Sequence, residues 1–307
     1  MLVHADARRL PLRDESVQCV VTSPPFWGLR DYGIPGQIGL ETRVDQYVSK
    51  LVRVFREVRR VLRSDGTLWL NLGDTYCARP NSGAGNGSVL QGRKIQDAQS
   101  AGRLHKNARI YPPDVKPKDL IGIPWAVAFA LRRDGWFLRA EVIWAKLNPI
   151  PESIRDRPTK AHEQVFLLTR SGSYRYNADA IKEPGTGRAP GNRAPHKYAE
   201  SGDSRTTAGL ERMREGYEER NARSVWTMAS EPYAGEHPAT FPSALARRCI
   251  LAGTAAGDVV LDPFVGSGTT VRAARDLGRV GVGVDLNPNY LRGEAAGRIR
   301  TTAGMGW

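Results

Sequence analysis

Cysteine is scarce in this chain. Cys19, Cys77 and Cys249 are the three in 307 residues, with neither metal-ligand spacing nor a closed set of pairs. That excludes a disulfide scaffold and a zinc knuckle, and free thiols in a reducing, cytoplasmic setting are expected. Long apolar runs are missing too: nothing approaches the roughly 18 residues a membrane span needs, so no membrane association is expected. The opening Met1-Leu2-Val3-His4-Ala5-Asp6 lacks the basic-then-apolar order of a secretory leader. Acidic side chains are outnumbered, 32 against 45 basic ones, for a net charge of +13 and a pI near 10.0. Such a balance attracts a polyanion and favours nucleic acid over a small neutral substrate. Only nine of the basic residues are lysines. Arginine forks for phosphate explain that excess, and so does a GC-rich genome.

What is present reads as α/β. Residues 17–21 form an apolar run ended by Pro24, a strand signature. Val44, Tyr47, Val48, Leu51, Val54, Phe55, Val58 and Val61 recur at helical spacing, predicting a helix over 43–62 capped by Thr42 and Asp45. A strand over 67–72, a helix over 117–134 and paired antiparallel strands at 137–144 and 163–168 follow. Phe241 and Pro242 open another helix, then come a strand at 259–261, a helix from Thr269 to Leu277 and a strand at 280–284 ending in Asp285. Strand, helix and strand in series argue for a parallel sheet. Two stretches lack core-forming periodicity. Residues 77–116, with the glycine-rich 81–88 and a basic flank at His105–Arg109, read as a flexible insertion. Residues 171–236 cannot contribute much core and read as either a linker or a surface-binding insert.

Two segments carry chemistry. Asp262-Pro263-Phe264-Val265-Gly266-Ser267-Gly268-Thr269-Thr270 delivers a glycine-rich turn from a buried strand into a helix. No lysine follows the glycines, so it is no P-loop, and Val271 stands where a dinucleotide fingerprint has its third glycine. An acidic residue ahead of the glycines suits a cationic amino-acid portion rather than a pyrophosphate. Asp262 is therefore expected to face the ammonium group of a nucleoside cofactor's amino-acid portion, directly or through water, with Asp285 at the next strand end for ribose hydroxyls. Thr22-Ser23-Pro24-Pro25-Phe26 is the second segment. An exocyclic amino group has its lone pair delocalised into the ring, so catalysis must grip both hydrogens and aim the nitrogen at a methyl donor. Ser23 Oγ and the Pro24 carbonyl can accept those hydrogens, Pro24 and Pro25 stiffen the turn, and Phe26 offers a face for an unstacked base.

The order along the chain makes sense for a circularly rearranged sheet. Its cradle strand and the Asp285 strand close the sequence, and residues 1–6 restart it, with Asp6 placed to accept from the cofactor's adenine amino group. The chain resembles the beta group of DNA amino methyltransferases. The likeness rests on Thr22–Phe26, Leu70-Asn71-Leu72-Gly73-Asp74, Trp144-Ala145-Lys146, Arg157–Glu163, His237-Pro238-Ala239-Thr240-Phe241-Pro242, Asp262–Thr270 and Gly283-Val284-Asp285. The resemblance implies a circularly permuted Rossmann-like methyltransferase fold with a mixed, mostly parallel seven-stranded sheet and an inserted target-recognition region. Residues 1–170 would form the catalytic part, 171–236 the target-recognition region and 237–307 the cofactor-binding part. Ser23, Pro24, Pro25 and Phe26 would be catalytic. Asp6, Ser23, His237, Phe241, Asp262, Phe264, Gly266, Ser267, Gly268, Thr269 and Asp285 would hold S-adenosyl-L-methionine.

Family custom ties Ser-Pro-Pro-aromatic to cytosine N4, and Asp- or Asn-Pro-Pro-aromatic to adenine N6, so Ser23 points to N4-methylcytosine in double-stranded DNA. Cytosine C5 chemistry needs a thiolate, and no cysteine here has the context for one. Within 171–236, Arg175, Arg188, Arg193, Lys197, Arg205, Arg212, Arg214, Arg220 and Arg223 are available to phosphates and base edges. The resemblance leaves room for a homodimer and for a cognate restriction endonuclease acting on the same site. Adenine-N6, RNA or protein-amide methylation, and a noncatalytic DNA-binding module, stay open alternatives on the residues alone.

Overall fold

The computed structural model describes residues 1–77, 114–185, 218–231 and 241–297. Its main sheet is built on a strand with no exposed face: β2, Val17–Thr22, is buried at every position, as expected for a central strand covered on both sides. Beside it lie β3 (Leu62–Leu72) and, from the far end of the chain, β9 (Val259–Asp262). Outward from β9 come β10 (Val280–Asp285) and β1 (Leu2–His4), all parallel. On the other side β5 (His162–Thr169) runs antiparallel between β3 and β4 (Phe137–Lys146), as the sequence predicts. The chain's last strands thus sit between its first two, the permuted Rossmann-like arrangement expected.

The sheet has eight strands among the described residues rather than seven. The addition is β8 (Val225–Met228), which pairs in parallel with β4 at the edge. Its Trp226 is only 2% exposed and packs against Trp69 with ring centroids 5.8 Å apart. The expectation that 171–236 adds little to the core therefore fails at this point: a four-residue strand with one inward tryptophan is too short to show a period. Residues Asn177–Arg223 cluster as a separate compact unit, in which β6 (Glu183–Pro184) and β7 (Glu219–Arg220) pair antiparallel.

Helices cover both faces. Helix α1 (Val44–Val61) buries Tyr47, Leu51, Val54, Phe55 and Val58, and α2 (Ile123–Arg133) buries Ile123, Val127 and Leu131. They share a core with Leu68, Leu70, Leu72, Phe166 and Leu168 of the sheet. The Thr42–Asp45 cap does not form. Arg43 occupies the cap position and pairs with Asp45, while Thr42 Oγ1 lies 3.2 Å from Gln46 Oε1. Helix α2 starts later than the sequence suggests, because Asp74 receives the Gly122 and Ile123 amides at 3.0–3.1 Å and so caps it from a distant strand end. Helices α3 (Ser243–Gly253) and α4 (Thr269–Asp276) lie on the opposite face, reached by the alternating side chains Cys19 and Thr67. Pro242 sits just outside α3, whose first amide and hydroxyl, from Ser243, both turn to Glu231 Oε1 at 2.9 and 2.6 Å.

Helix α3 meets the sheet through backbone. A Cβ on Gly253 would lie 2.3 Å from Thr67 Oγ1 and 3.2 Å from Cys19 Sγ. Gly253→Ala is therefore expected to lower stability by about 1–3 kcal/mol through overpacking, read as a reduced urea midpoint at unchanged slope.

Candidate active site at the carboxyl edge of the sheet

Because β1, β10, β9, β2 and β3 run parallel, the segments that follow them all emerge at one edge, where ligands of open α/β sheets collect. Asp6, Asp285, Asp262, Ser23 and Asp74 are delivered there in that spatial order.

Asp262 locks the two chemical segments together. Its carboxylate accepts from Thr22 Oγ1 at 2.7 Å, across 240 residues of chain, and from the Phe264 amide at 3.1 Å. The Thr270 hydroxyl lies 2.8 Å from its second oxygen and 3.1 Å from the Val21 carbonyl, so one proton serves either acceptor. Asp262 is 3% exposed. Burial pushes its carboxyl up to about 6, against the pull of the hydrogen bonds from Thr22, Thr270 and Phe264.

The cleft above this lock holds about 1090 Å³ of space, solvent at its mouth included. Asp6, Ser23, Pro24, Pro25, Phe26, Phe241, Asp262, Phe264, Gly266, Ser267, Thr269 and Asp285 all line it. Asp285 accepts from the Gly266 amide at 2.9 Å and the Asn287 amide at 2.8 Å, and burial raises its carboxyl. Asp6 is gripped by Arg8, which hydrogen-bonds it through Nε at 2.9 Å and holds its carboxyl below the usual range. Gly268 stands apart from the lining. It precedes α4, where a Cβ would meet Ala295 at 3.3 Å, so its lack of a side chain serves packing behind the cleft wall. His237 lies outside the described residues, as do 81–88, the 105–109 flank, Arg188, Arg193, Lys197, Arg205, Arg212 and Arg214.

The Ser23–Phe26 turn is held from below. Tyr47, fully buried on α1, donates its hydroxyl to the Pro25 carbonyl at 2.9 Å. The Phe26 ring rests on Gly73, where a Cβ would fall 2.5 Å from its Cε2. Ser23 Oγ and the Pro24 carbonyl accept no hydrogen bond from the described residues, which leaves both for a ligand. Three carboxylates around one cleft disfavour a polyphosphate and suit a ligand carrying a cation and hydroxyls, while Phe26, Phe241 and Phe264 supply apolar wall.

Sequence reasoning missed the segment after the Pro-Pro turn. Leu29, Tyr32, Ile34, Gln37 and Ile38 line the cleft, with Asn287 and Tyr290 opposite. Tyr32 and Tyr290 meet edge to face at 6.4 Å, and Gln37 ties the segment by accepting from the Tyr32 amide at 2.8 Å. The available signal was Gly28, Gly33, Gly36 and Gly39, all with positive φ. Among the described residues no cluster could hold a metal ion and no helix is long and apolar enough to cross a membrane.

The Asp262 carboxyl has a folded-state value near 6 against 3.8 for the free side chain. A raised acid takes up a proton on folding, so it costs stability as pH climbs through that window, and the cost is constant above it. Asp262→Asn removes this component. Its stability relative to wild type is expected to rise by about 2 kcal/mol between about pH 4 and pH 7. Urea unfolding at both pH values measures this, and a flat offset would show that Asp262 is no raised acid.

A family model described as DNA methylase matches residues 17–296. The type II methyltransferase M.Cfr9I of Citrobacter freundii is 44% identical over 303 residues, spanning 96% of this chain and 87% of that protein. The fold is shared with a Thermus thermophilus protein solved with S-adenosyl-L-methionine, at a TM-score of 0.59 and 24% identity over 99% of this chain and 95% of the other. It is shared too with the PvuII DNA methyltransferase, described as cytosine-N4-specific, at a TM-score of 0.62 and 16% identity over 99% and 87% of the two chains. With the motif-bearing strand ends gathered on one edge and the match running through nearly the whole sequence, the chain belongs to the DNA methylase family of N6/N4 amino methyltransferases.

Proposed function

We propose that this methyltransferase acts on the exocyclic N4 of cytosine in double-stranded DNA, by direct transfer to a base turned out of the helix. S-adenosyl-L-methionine supplies an electrophilic sulfonium methyl. The observation that carries the reading is the pair of acceptors, Ser23 Oγ and the Pro24 carbonyl, lining the same cleft as Asp262, Asp285 and Gly266. Gripping both amino hydrogens away from the ring plane would pyramidalise the nitrogen and localise its lone pair toward the cofactor side of the cleft. With the cofactor bound, its methyl carbon would pass to the nitrogen while sulfur kept the electron pair of the broken bond, and Ser23 would relay the proton shed by nitrogen to water. Phe26, propped on Gly73, offers the flipped ring a stacking face.

A hydroxyl rather than a carboxylate at position 23 favours cytosine, and the PvuII relative bears that specificity by description. Thiolate chemistry at C5 has no candidate: burial pushes the Cys19 thiol to about 12 and also raises Cys77 and Cys249. In this reading Asp6 meets the cofactor's adenine, Asp285 its ribose and Asp262 its amino-acid end. Phe241, Phe264, Ser267, Thr269 and His237 flank it, and Gly268 supports the turn. Residues 171–236 would recognise the target, with 1–170 and 237–307 as the catalytic and cofactor parts. Among the described arginines of that region, Arg175 is paired with Asp258, and Arg220 and Arg223 with Glu183. Phosphate contacts would therefore exchange existing ion pairs. The reading places the enzyme in the cytoplasm, with a restriction endonuclease of the same target as a functional partner and a homodimer as an assembly to test.

Incubating duplex DNA with labelled cofactor and analysing nucleosides by mass spectrometry should yield N4-methylcytosine. N6-methyladenine as the sole product would overturn the base assignment. Ser23→Ala should lower kcat by roughly 100- to 1000-fold, far more than it lowers cofactor affinity measured by titration calorimetry.

A further inference from the structure

Motif residues left without a role form a second polar group at the same sheet edge. Strand β4 ends there at Lys146 and the antiparallel β5 begins there at His162, so Lys146, Lys160 and Glu163 gather beside the end of β3. Glu163 spends both carboxylate oxygens, one on Lys146 Nζ at 2.6 Å and one on Asn71 Nδ2 at 2.7 Å. Asn71 is 3% exposed, and its Oδ1 has no hydrogen-bond partner. An acceptor buried in that state is costly unless a ligand N–H or a bridging water fills it. Lys160 donates to the Asp74 carbonyl at 2.9 Å, while the Asp74 carboxylate is occupied in capping α2. Lys160 is half-buried, and desolvation lowers the pKa of its ammonium. An ammonium carries three donors, and this one has a single hydrogen-bond partner and no ion pair within 4.0 Å among the described residues.

This group adjoins the catalytic turn. The Phe26 ring lies on Gly73, and Asp74, whose carbonyl holds Lys160, is the next residue, one Cα step of about 3.8 Å further. The cofactor-type cleft lies on the β9 and β10 side of Ser23. The β3 side, where Lys160 stands, is left for the acceptor base.

Cytosine and adenine differ on that side. Next to its amino group each ring presents an acceptor nitrogen, N3 or N1. One position further cytosine has the O2 acceptor and adenine a C–H. A donor reaching that position therefore separates the two bases. We propose that Lys160 is a specificity-determining residue that donates to the O2 and N3 edge of the flipped cytosine, beneath the amino group held by Ser23 and Pro24. The Lys146–Glu163–Asn71 hydrogen bonds tie together the strand ends beside Lys160. This rests on the cytosine-N4 reading above.

The test begins with wild-type enzyme, labelled S-adenosyl-L-methionine and unmodified phage DNA, with the methylated site located by sequencing and the product nucleoside identified. If that nucleoside is N6-methyladenine, the base assignment falls and this proposal with it, whatever Lys160 does. With N4-methylcytosine in hand, single-turnover rates are compared on two synthetic duplexes. One carries the natural target. The other carries, at the target position, a pyridine C-nucleoside that keeps the amino group and ring nitrogen but lacks O2. Wild type should lose roughly 10- to 100-fold on the analogue, the scale of a hydrogen bond to a charged donor. Lys160→Met should lose a similar factor on cytosine and less than about threefold more on the analogue, the coupling a double-mutant cycle detects. Cofactor and duplex dissociation constants should stay within about twofold, which separates the effect from misfolding. Lys160→Arg should restore part of the cytosine rate. A Lys160→Met enzyme that transfers at the wild-type rate, or rejects the analogue as strongly as wild type does, overturns the assignment.

Discussion

One buried carboxylate holds the site together. Asp262 ends β9 and is fastened to Thr22, the last residue of β2, and to Thr270 in the first turn of α4. The Ser23 acceptors and the glycine-rich turn keep a fixed separation because this group stands between them. A methyl transfer that relies on aim rather than on a strong base needs that rigidity, since sub-ångström errors in approach are costly in rate. Burying an anion opposes stability, and the site accepts that cost where the geometry matters.

The sheet supplies everything else by register. Parallel strands deliver Asp6, Asp285, Asp262, Ser23 and Asp74 to one edge, and the carboxylates there are held in different ways. Arg8 keeps Asp6 ionised, backbone amides orient Asp285, hydroxyls orient Asp262, and Asp74 is turned inward to cap α2. The same residue type thus stands in the cleft wall, clamps two segments or caps a helix according to which donor reaches it first.

Much of this was legible in the sequence, for identifiable reasons. Ser23–Phe26 and Asp262–Thr270 each end an apolar run with residues of restricted geometry, so their places at strand ends followed from local rules. Asp285 followed from the strand before it. Other features depend on tertiary partners that local patterns do not encode. Asp74 caps a helix 48 residues away, and Glu231 does the same for α3. Trp226 is buried against Trp69 and beneath the Arg248 guanidinium. Thr42 and Asp45 had the spacing of a cap but found closer partners in Gln46 and Arg43. The wall of the cleft from Leu29 to Ile38 is irregular backbone without a period, and its role shows only when Tyr290 stands opposite.

The interleaved strand order also bears on how the chain is made. During synthesis β2 leaves the ribosome with one neighbour, β3, following soon after and the other, β9, more than two hundred residues away. Until β9 is out, a strand buried at all six positions in the final fold keeps an unpaired edge. Closure of so long a loop is slow and leaves time for strand-to-strand aggregation. The topology that makes the active site therefore sets a vectorial folding problem, one in which the centre of the sheet is finished last and nascent chains depend on protection of that edge until it is.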